Sequence, residues 1–213
     1  MVEKVFALGG SVISNHLDNL GNLAEALEQN EDFVAVVGAG HLKKQQDAVR
    51  EECNNSEIDL VGIEATRLNA KTLQTLMENV SKETPKTVNQ VQKLASDKNV
   101  VMGGLNPGFS TDAVAAIVAE LFNADIYFIT DVDGIYNSDP EKNQDAERFD
   151  DINTEELFEM TSGENTPGIY SIIDETAVQI IERSGLKAKL LEGDIPNVKD
   201  PENSVGTNIH SST

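Results

Sequence analysis

The chain has 213 residues, with 37 Asp and Glu against 16 Lys and Arg, a formal net charge of −21 and a pI near 4.3. A chain of this length suits one globular domain with a full core, and its single cysteine, Cys53, excludes an internally disulfide-bonded scaffold. The charge disfavours nucleic-acid polymers and anionic membranes as partners, and no apolar stretch reaches the roughly 18 residues of a transmembrane helix.

The start, Met1–Ser14, has neither a basic leader nor a long apolar segment, so no signal peptide is expected and a cytoplasmic location follows. Val2–Leu8 reads as a buried strand stopped by Gly9-Gly10. Leu20–Leu27 has helical spacing at Leu20, Leu23, Ala24 and Leu27. Phe33–Val37 is a second apolar run, stopped by Gly38-Ala39-Gly40. A polar helix is predicted over about His41–Cys53 and a long one over about Leu60–Val80, ended by Pro85. Val88–Ala95 reads as a helix.

Val100–Met102 is a third strand, stopped by Gly103-Gly104. Asp112–Leu121 is an alanine-rich helix capped by Ser110 or Thr111. Ile126–Ile129 is a fourth strand, and Val132-Asp133-Gly134-Ile135 carries a hairpin signal. Polar, acidic Asn137–Asp151 reads as a loop. Leu157–Thr161 and Ile173–Ser184 are helices, the second ended by Gly185. Ala188–Leu191 is a further strand, and Val205–Ile209 one more. Short apolar strands alternating with helices argue for a mostly parallel sheet covered on both faces.

Two readings of the acid excess compete. High net charge with low apolar content gives disorder, but 39% of the residues are hydrophobic and fall in periodic blocks. The acids are scattered along the chain, as on the solvated surface of a halophilic protein from an acidic proteome. At about 1 M salt the Debye length falls to about 3 Å and self-repulsion is screened.

Three strands therefore end in glycine turns: Gly9-Gly10-Ser11, Gly38-Ala39-Gly40, and Gly103-Gly104 running into Pro107-Gly108. Ligands of open α/β sheets bind at the carboxyl ends of strands. Glycine there lets backbone N–H groups approach a ligand, and helix N-termini add positive potential, so such turns suit phosphate. No G-x-x-x-x-G-K-[ST] loop is present, and Gly38–Lys43 lacks the third glycine of a dinucleotide turn. The three histidines, His16, His41 and His210, are too dispersed for a metal set, and Asp131–Gly134 lacks the third alternate ligand of a calcium loop.

The ordered set Phe6–Val12, Val36–Gly40, Val101–Gly104, Pro107-Gly108, Ser110–Ala115 and Thr130–Tyr136 with Asp139-Pro140 resembles the amino-acid kinase family, in the version seen in archaeal uridylate (UMP) kinases. The resemblance runs from about Val5 to Ile209. It implies a three-layer α/β/α sandwich around a mostly parallel sheet of about eight strands. A single domain, 1–213, would divide into an acceptor half (about 1–120) and an ATP half (about 121–213). It also implies phosphoryl transfer from ATP to UMP, Mg²⁺ accompanying ATP, and a homo-oligomer, usually a hexamer.

The resemblance assigns ATP contacts to Gly10, Ser11, Gly40, Lys44, Thr130, Tyr136 and Asp139. It assigns UMP contacts to Ala39, Asp59, Leu105, Asn106, Pro107, Gly108, Phe109, Ser110 and Thr111. Asp59 resembles the acid that holds the ribose hydroxyls, while the residues alone make it a helix cap. Asp112 resembles an acid that orients catalytic cations, while the residues alone make it an ordinary first-turn acid favoured by the helix dipole. Lys43 and Lys44 are the candidate catalytic cations, with Arg67 as a further one; the residues alone put the lysines on a solvated helix face. Many family members carry a lysine where Ala7 stands, which leaves the charge stabiliser open. Two rivals stand beside this reading: a same-fold kinase for another acceptor (another nucleotide, isopentenyl phosphate, carbamate or an amino acid), against which the Asn106–Thr111 loop and Asp59 weigh, and a non-catalytic nucleotide-binding or storage protein, which the missing lysine at Ala7 sustains. No metal ligand set is assigned.

Overall fold

The computed structural model describes residues 1–140, 142–162 and 173–212. Its strands are β1 (Lys4–Leu8), β2 (Phe33–Val37), β3 (Val100–Met102), β4 (Asp125–Thr130), β5 (Asp151–Asn153), β6 (Ala188–Glu192) and β7 (Thr207–His210). They form one sheet in the order β3-β2-β1-β4-β6-β7-β5. The first five in that order are parallel; β7 runs antiparallel to β6, and β5 pairs parallel with β7. The described residues thus give seven strands, not about eight.

β2 is buried at every position, as expected of a strand with helices on both faces. Alternation in β1 separates the two cores. Val5 and Ala7 join a cluster that includes Val114, Val118, Val178 and Ile181. Phe6 and Leu8 join another that includes Leu23, Leu27, Leu73 and Val198. The first set lies on α6 (Thr111–Phe122) and α8 (Glu175–Ser184), the second on α2 (Leu20–Glu28), α4 (Asn55–Leu76) and α9 (Ile195–Lys199). The three-layer α/β/α sandwich follows. The remaining helices are α1 (Gly10–Asn15), α3 (Lys44–Val49), α5 (Val88–Ala95) and α7 (Thr154–Ser162).

Three local expectations need correction. The long helix starts five residues before Leu60, because Asn54 and Glu57 form a reciprocal capping box. It stops at Leu76, nine residues before Pro85: Met77 is extended, and the Lys82 ammonium donates to the carbonyls of Gln74 and Met77. The polar helix over His41–Cys53 splits into a 3₁₀ turn (Gly40–Lys43) and α3. No hairpin forms at Val132–Ile135. A two-residue type I′ turn needs positive φ at both central residues, and neither Asp133 nor Gly134 has one. Gly185 ends α8 in the left-handed conformation and Ser110 caps α6, both as expected.

Candidate active site

The first two glycine turns are pressed backbone to backbone at the carboxyl ends of β1 and β2. A Cβ on Gly38 would lie 2.5 Å from the Gly10 nitrogen, and one on Gly10 would lie 2.5 Å from the Gly40 nitrogen. Gly40 has φ +58, a conformation that favours glycine. Ala39, between them, has φ −75, so alanine is accommodated there. Helices α4, α6 and α8 have side-chain N-caps, whereas α1 begins at Gly10 without one. Its first N–H groups are therefore left to an external acceptor.

Side chains that the sequence reading did not single out lock this arrangement. Ser14 donates its hydroxyl to the Gly10 carbonyl (3.1 Å) and accepts from the His41 N–H (2.9 Å), bridging the two turns. Buried Asn69, on α4, donates to the carbonyls of Gly38 and Ala39 (2.8 and 2.9 Å). Thr66, one turn earlier, accepts from the Gly104 N–H (2.7 Å). A Cβ on Gly103 would lie 2.4 Å from the Thr66 hydroxyl. The available signal was Thr66, Asn69 and Gln74 on the buried face of α4, since buried polar groups need partners.

The second and third turns flank a cleft of about 470 Å³. It gathers Ala39, Lys43, Asp59, Gly108, Phe109, Ser110 and Thr111 from the sequence-based candidates, and adds Gln46, Ile63 and Thr66. Asp59 is not the cap of α4, which is Asn54; its carboxylate instead accepts from the Gly108 N–H (2.8 Å). Gly108 has φ +84. Phe109 is exposed over the cleft. Leu105 is buried, and its carbonyl accepts from Arg67 (3.4 Å); Arg67 also pairs with Glu64 (2.6 Å). Asn106 and Pro107 lie in the turn just outside the lining. Lys44 is an exposed residue at the start of α3 and does not line the cleft. Ala7 is buried within β1, so that position offers no cation to the site.

Thr130 ends β4 beside Gly9, whose N–H donates to the Ile129 carbonyl (2.8 Å). Ser11 follows in α1. Tyr136 donates its hydroxyl to Asp133 (2.9 Å); burial and then that bond raise its pKa and keep it a donor. Asp139 is buried and pairs with Lys142 (2.6 Å), while its carbonyl accepts from the N–H groups of Lys142 and Asn143.

Asp112, the second residue of α6, stands in its first turn, as its position in the sequence suggests. Burial, reinforced by the nearby charge of Asp174, pushes its pKa from 3.8 up to about 6. The Asp174 carboxylate caps α8 through Thr176 and Ala177. Strongly shifted carboxyls of this kind concentrate at functional sites.

Comparison with known proteins agrees with the geometry. Residues 3–191 match the amino acid kinase family. A uridylate kinase of Methanococcus maripaludis is 38% identical, covering 98% of this chain and 99% of its own length. One of Archaeoglobus fulgidus is 37% identical over 92% of this chain and 94% of its own. The crystal structure of uridylate kinase from Archaeoglobus fulgidus superposes with a TM-score of 0.86 at 33% identity, covering 98% of this chain and all of that one. The UMP kinase structure from Bacillus anthracis shares the fold at 18% identity and a TM-score of 0.81. Matched by the family model over residues 3–191 and sharing nearly its whole length with these uridylate kinases, the chain belongs to the amino acid kinase family.

Proposed function

We infer that the chain is an ATP-dependent nucleoside monophosphate kinase that transfers the γ-phosphoryl group of ATP to UMP, giving ADP and UDP in pyrimidine nucleotide synthesis. The observation that carries this reading is the cleft that joins Asp59, Phe109, Ser110 and Thr111 beside the fused Gly10–Gly40 turns. A carboxylate suits two ribose hydroxyls and would repel a phosphate. The uncapped start of α1 suits the transferring phosphoryl group.

In this reading residues 1–120 are the acceptor half and 121–213 the ATP half. Ala39, Asp59 and Leu105–Thr111 hold UMP, with Asn106 reading the uracil edge. Gly10, Ser11, Gly40, Lys44, Thr130, Tyr136 and Asp139 hold ATP. Lys43, in the cleft lining, neutralises charge between the two nucleotides, assisted by Lys44, while Asp112 orients the cations. Transfer is direct and in line, with positioning and charge neutralisation as the main contributions. Among the described residues no group of three or more His, Cys, Asp or Glu is placed to hold a metal. In this reading Mg²⁺ enters with ATP, as MgATP.

The test is ADP release in high KCl and Mg²⁺ with UMP, CMP, AMP and isopentenyl phosphate as acceptors. UMP is expected to be preferred; no ADP with any acceptor would sink the kinase reading. Asp59→Asn is expected to raise the KM for UMP roughly tenfold or more, the scale of losing a charged hydrogen-bond acceptor, with the KM for ATP little changed. Equal effects on both would remove Asp59 from the ribose role.

The protein is further proposed to be a cytoplasmic, salt-adapted homo-oligomer, with a hexamer as the expected form. Leu60, Leu68 and Leu76 stand exposed along α4, apolar surface on a chain of charge −21. Burying it between copies removes apolar area from water. Sedimentation and thermal melting are expected to show assemblies stable at about 2 M KCl. Both the assemblies and the melting temperature should be weakened at about 0.1 M, where charges act over about 10 Å. A monomer with an unchanged melting temperature at both salts would refute the proposal.

A further inference from the structure

Arg148 lies outside every residue assigned so far, yet it sits at the centre of the loop that carries Tyr136. Its side chain is only 23% exposed. The alkyl stem crosses the α-carbon of Gly134: a Cβ there would lie 2.2 Å from its Cδ and 2.7 Å from its Cγ. One end of the guanidinium pairs with Asp133 (3.3 Å) and the other with Asp150 (3.4 Å). The same Asp133 carboxylate accepts the Tyr136 hydroxyl on its second oxygen (2.9 Å).

The backbone repeats the connection. Tyr136 and Arg148 form an antiparallel bridge, flanked by Asn137 N–H to the Glu147 carbonyl (3.0 Å) and Phe149 N–H to the Ile135 carbonyl (2.8 Å). Thr207, on β7, accepts from the Ile135 N–H (2.9 Å) and donates to the Phe149 carbonyl (2.6 Å). This short ladder is therefore anchored to the sheet. It is also what the Asp133-Gly134 pair builds in place of a tight hairpin.

Two features argue that Arg148 does more than hold the loop together. Its Nε is buried without an acceptor, an arrangement that costs stability. The guanidinium also joins the loop after β4, through Asp133, to the start of β5, through Asp150. Without it, the Asp133 carboxylate would lose the ion pair that holds it opposite the Tyr136 hydroxyl.

We propose that Arg148 is a positioning residue for ATP: through Asp133 it fixes the Tyr136 ring in the orientation that flanks the nucleotide. The proposal rests on the kinase reading above, in which Tyr136 contacts ATP. Arg148 touches neither substrate nor the reacting atoms. Its effect passes through one carboxylate to one aromatic ring, so it should fall on ATP binding and leave the acceptor cleft alone.

The test compares Arg148→Met, which keeps most of the stem over Gly134 but removes the charge, with Arg148→Lys and Asp133→Asn. Steady-state kinetics in MgATP and in UMP are paired with direct titration of MgATP binding and with melting curves. Arg148→Met is expected to raise the KM and the dissociation constant for MgATP about tenfold, with kcat and the KM for UMP within about twofold of wild type. Arg148→Lys should recover part of that loss by restoring a cation to Asp133. Asp133→Asn should change MgATP binding in the same direction but less, because an amide oxygen still accepts from Tyr136. An active wild type whose MgATP parameters are unchanged in Arg148→Met would overturn the positioning role alone. Equal losses for ATP and UMP, tracking a lowered melting temperature, would reduce Arg148 to a structural residue. A wild-type protein that binds no MgATP would remove the kinase reading and this role together.

Discussion

Gly10→Ala is expected to lower kcat by at least about a hundredfold, the scale of a misplacement of about 1 Å in a reacting array. The added Cβ would stand 2.5 Å from the Gly40 nitrogen and 2.9 Å from its α-carbon. Carbon contacts settle at about 3.5–4.0 Å, so the two turns must part by roughly 1 Å. Both neighbours are backbone, with no flexible side chain to swing aside. They are also the groups proposed to hold the phosphoryl group, so the separation falls on the transfer geometry itself. The stability cost is expected to be about 1–3 kcal/mol, as for other overpacked sites. Gly21→Ala is the control: nothing lies within 4 Å of a Cβ there, and alanine in α2 should be neutral or stabilising. Steady-state kinetics and melting curves check the pair. Retention of more than about a tenth of wild-type turnover by Gly10→Ala would show that the contact is not needed for catalysis.

Asp112→Asn is expected to be inactive and more stable at once. The folded protein holds the Asp112 proton more tightly than the unfolded chain, about 6 against 3.8. The resulting contribution to stability is fully present below about pH 4. It is lost as pH rises through 6, because the ionised carboxylate is then kept in a poorly solvated place near Asp174. At about 1.4 kcal/mol per pKa unit the difference approaches 3 kcal/mol. An amide at this position carries no charge, so denaturation at pH 8 should show the variant about 2–3 kcal/mol more stable than wild type, and at pH 4 nearly equal to it. Turnover should fall by about a hundredfold or more, on the scale of removing one electrostatic contact to the transition state. The wild-type pH–rate profile should carry an apparent pKa near 6 that the variant lacks. A variant less stable than wild type at pH 8 would mean that the hydrogen bond from the Asp174 backbone outweighs the desolvation of the carboxylate.

Gly10 and Asp112 differ in how much of their role is written locally. The Gly10 turn was legible in the sequence, because glycine pairs after apolar runs are local signals. That Gly10 touches Gly40 was not, because 30 residues separate them and only the parallel pairing of β1 with β2 brings the turns together. Asp112 was legible as a helix-start acid. Its raised pKa depends first on burial where α6 packs against α8, and then on the charge of Asp174, 62 positions away.

The sequence alone determined the alternation of strands and helices, the three glycine turns, the cap at Gly185, a hydroxyl cap at Ser110 or Thr111, and the family. Each is written in short-range patterns: apolar periodicity, turn residues and motif order. Tertiary structure decided which residue caps α4, which buried polar side chains hold the turns, and how the Asp133-Gly134 segment is used. Asn54 caps α4 and leaves Asp59 for the cleft. Asn69, Thr66 and Ser14 take backbone groups that a single helix or strand cannot satisfy. Arg148 fills the space over Gly134 and gathers Asp133 and Asp150. The Asn54–Glu57 box is local; in the other cases the physical reason is shared: a hydrogen bond or an ion pair between residues distant in the chain has no local signature until the fold sets the distance between them.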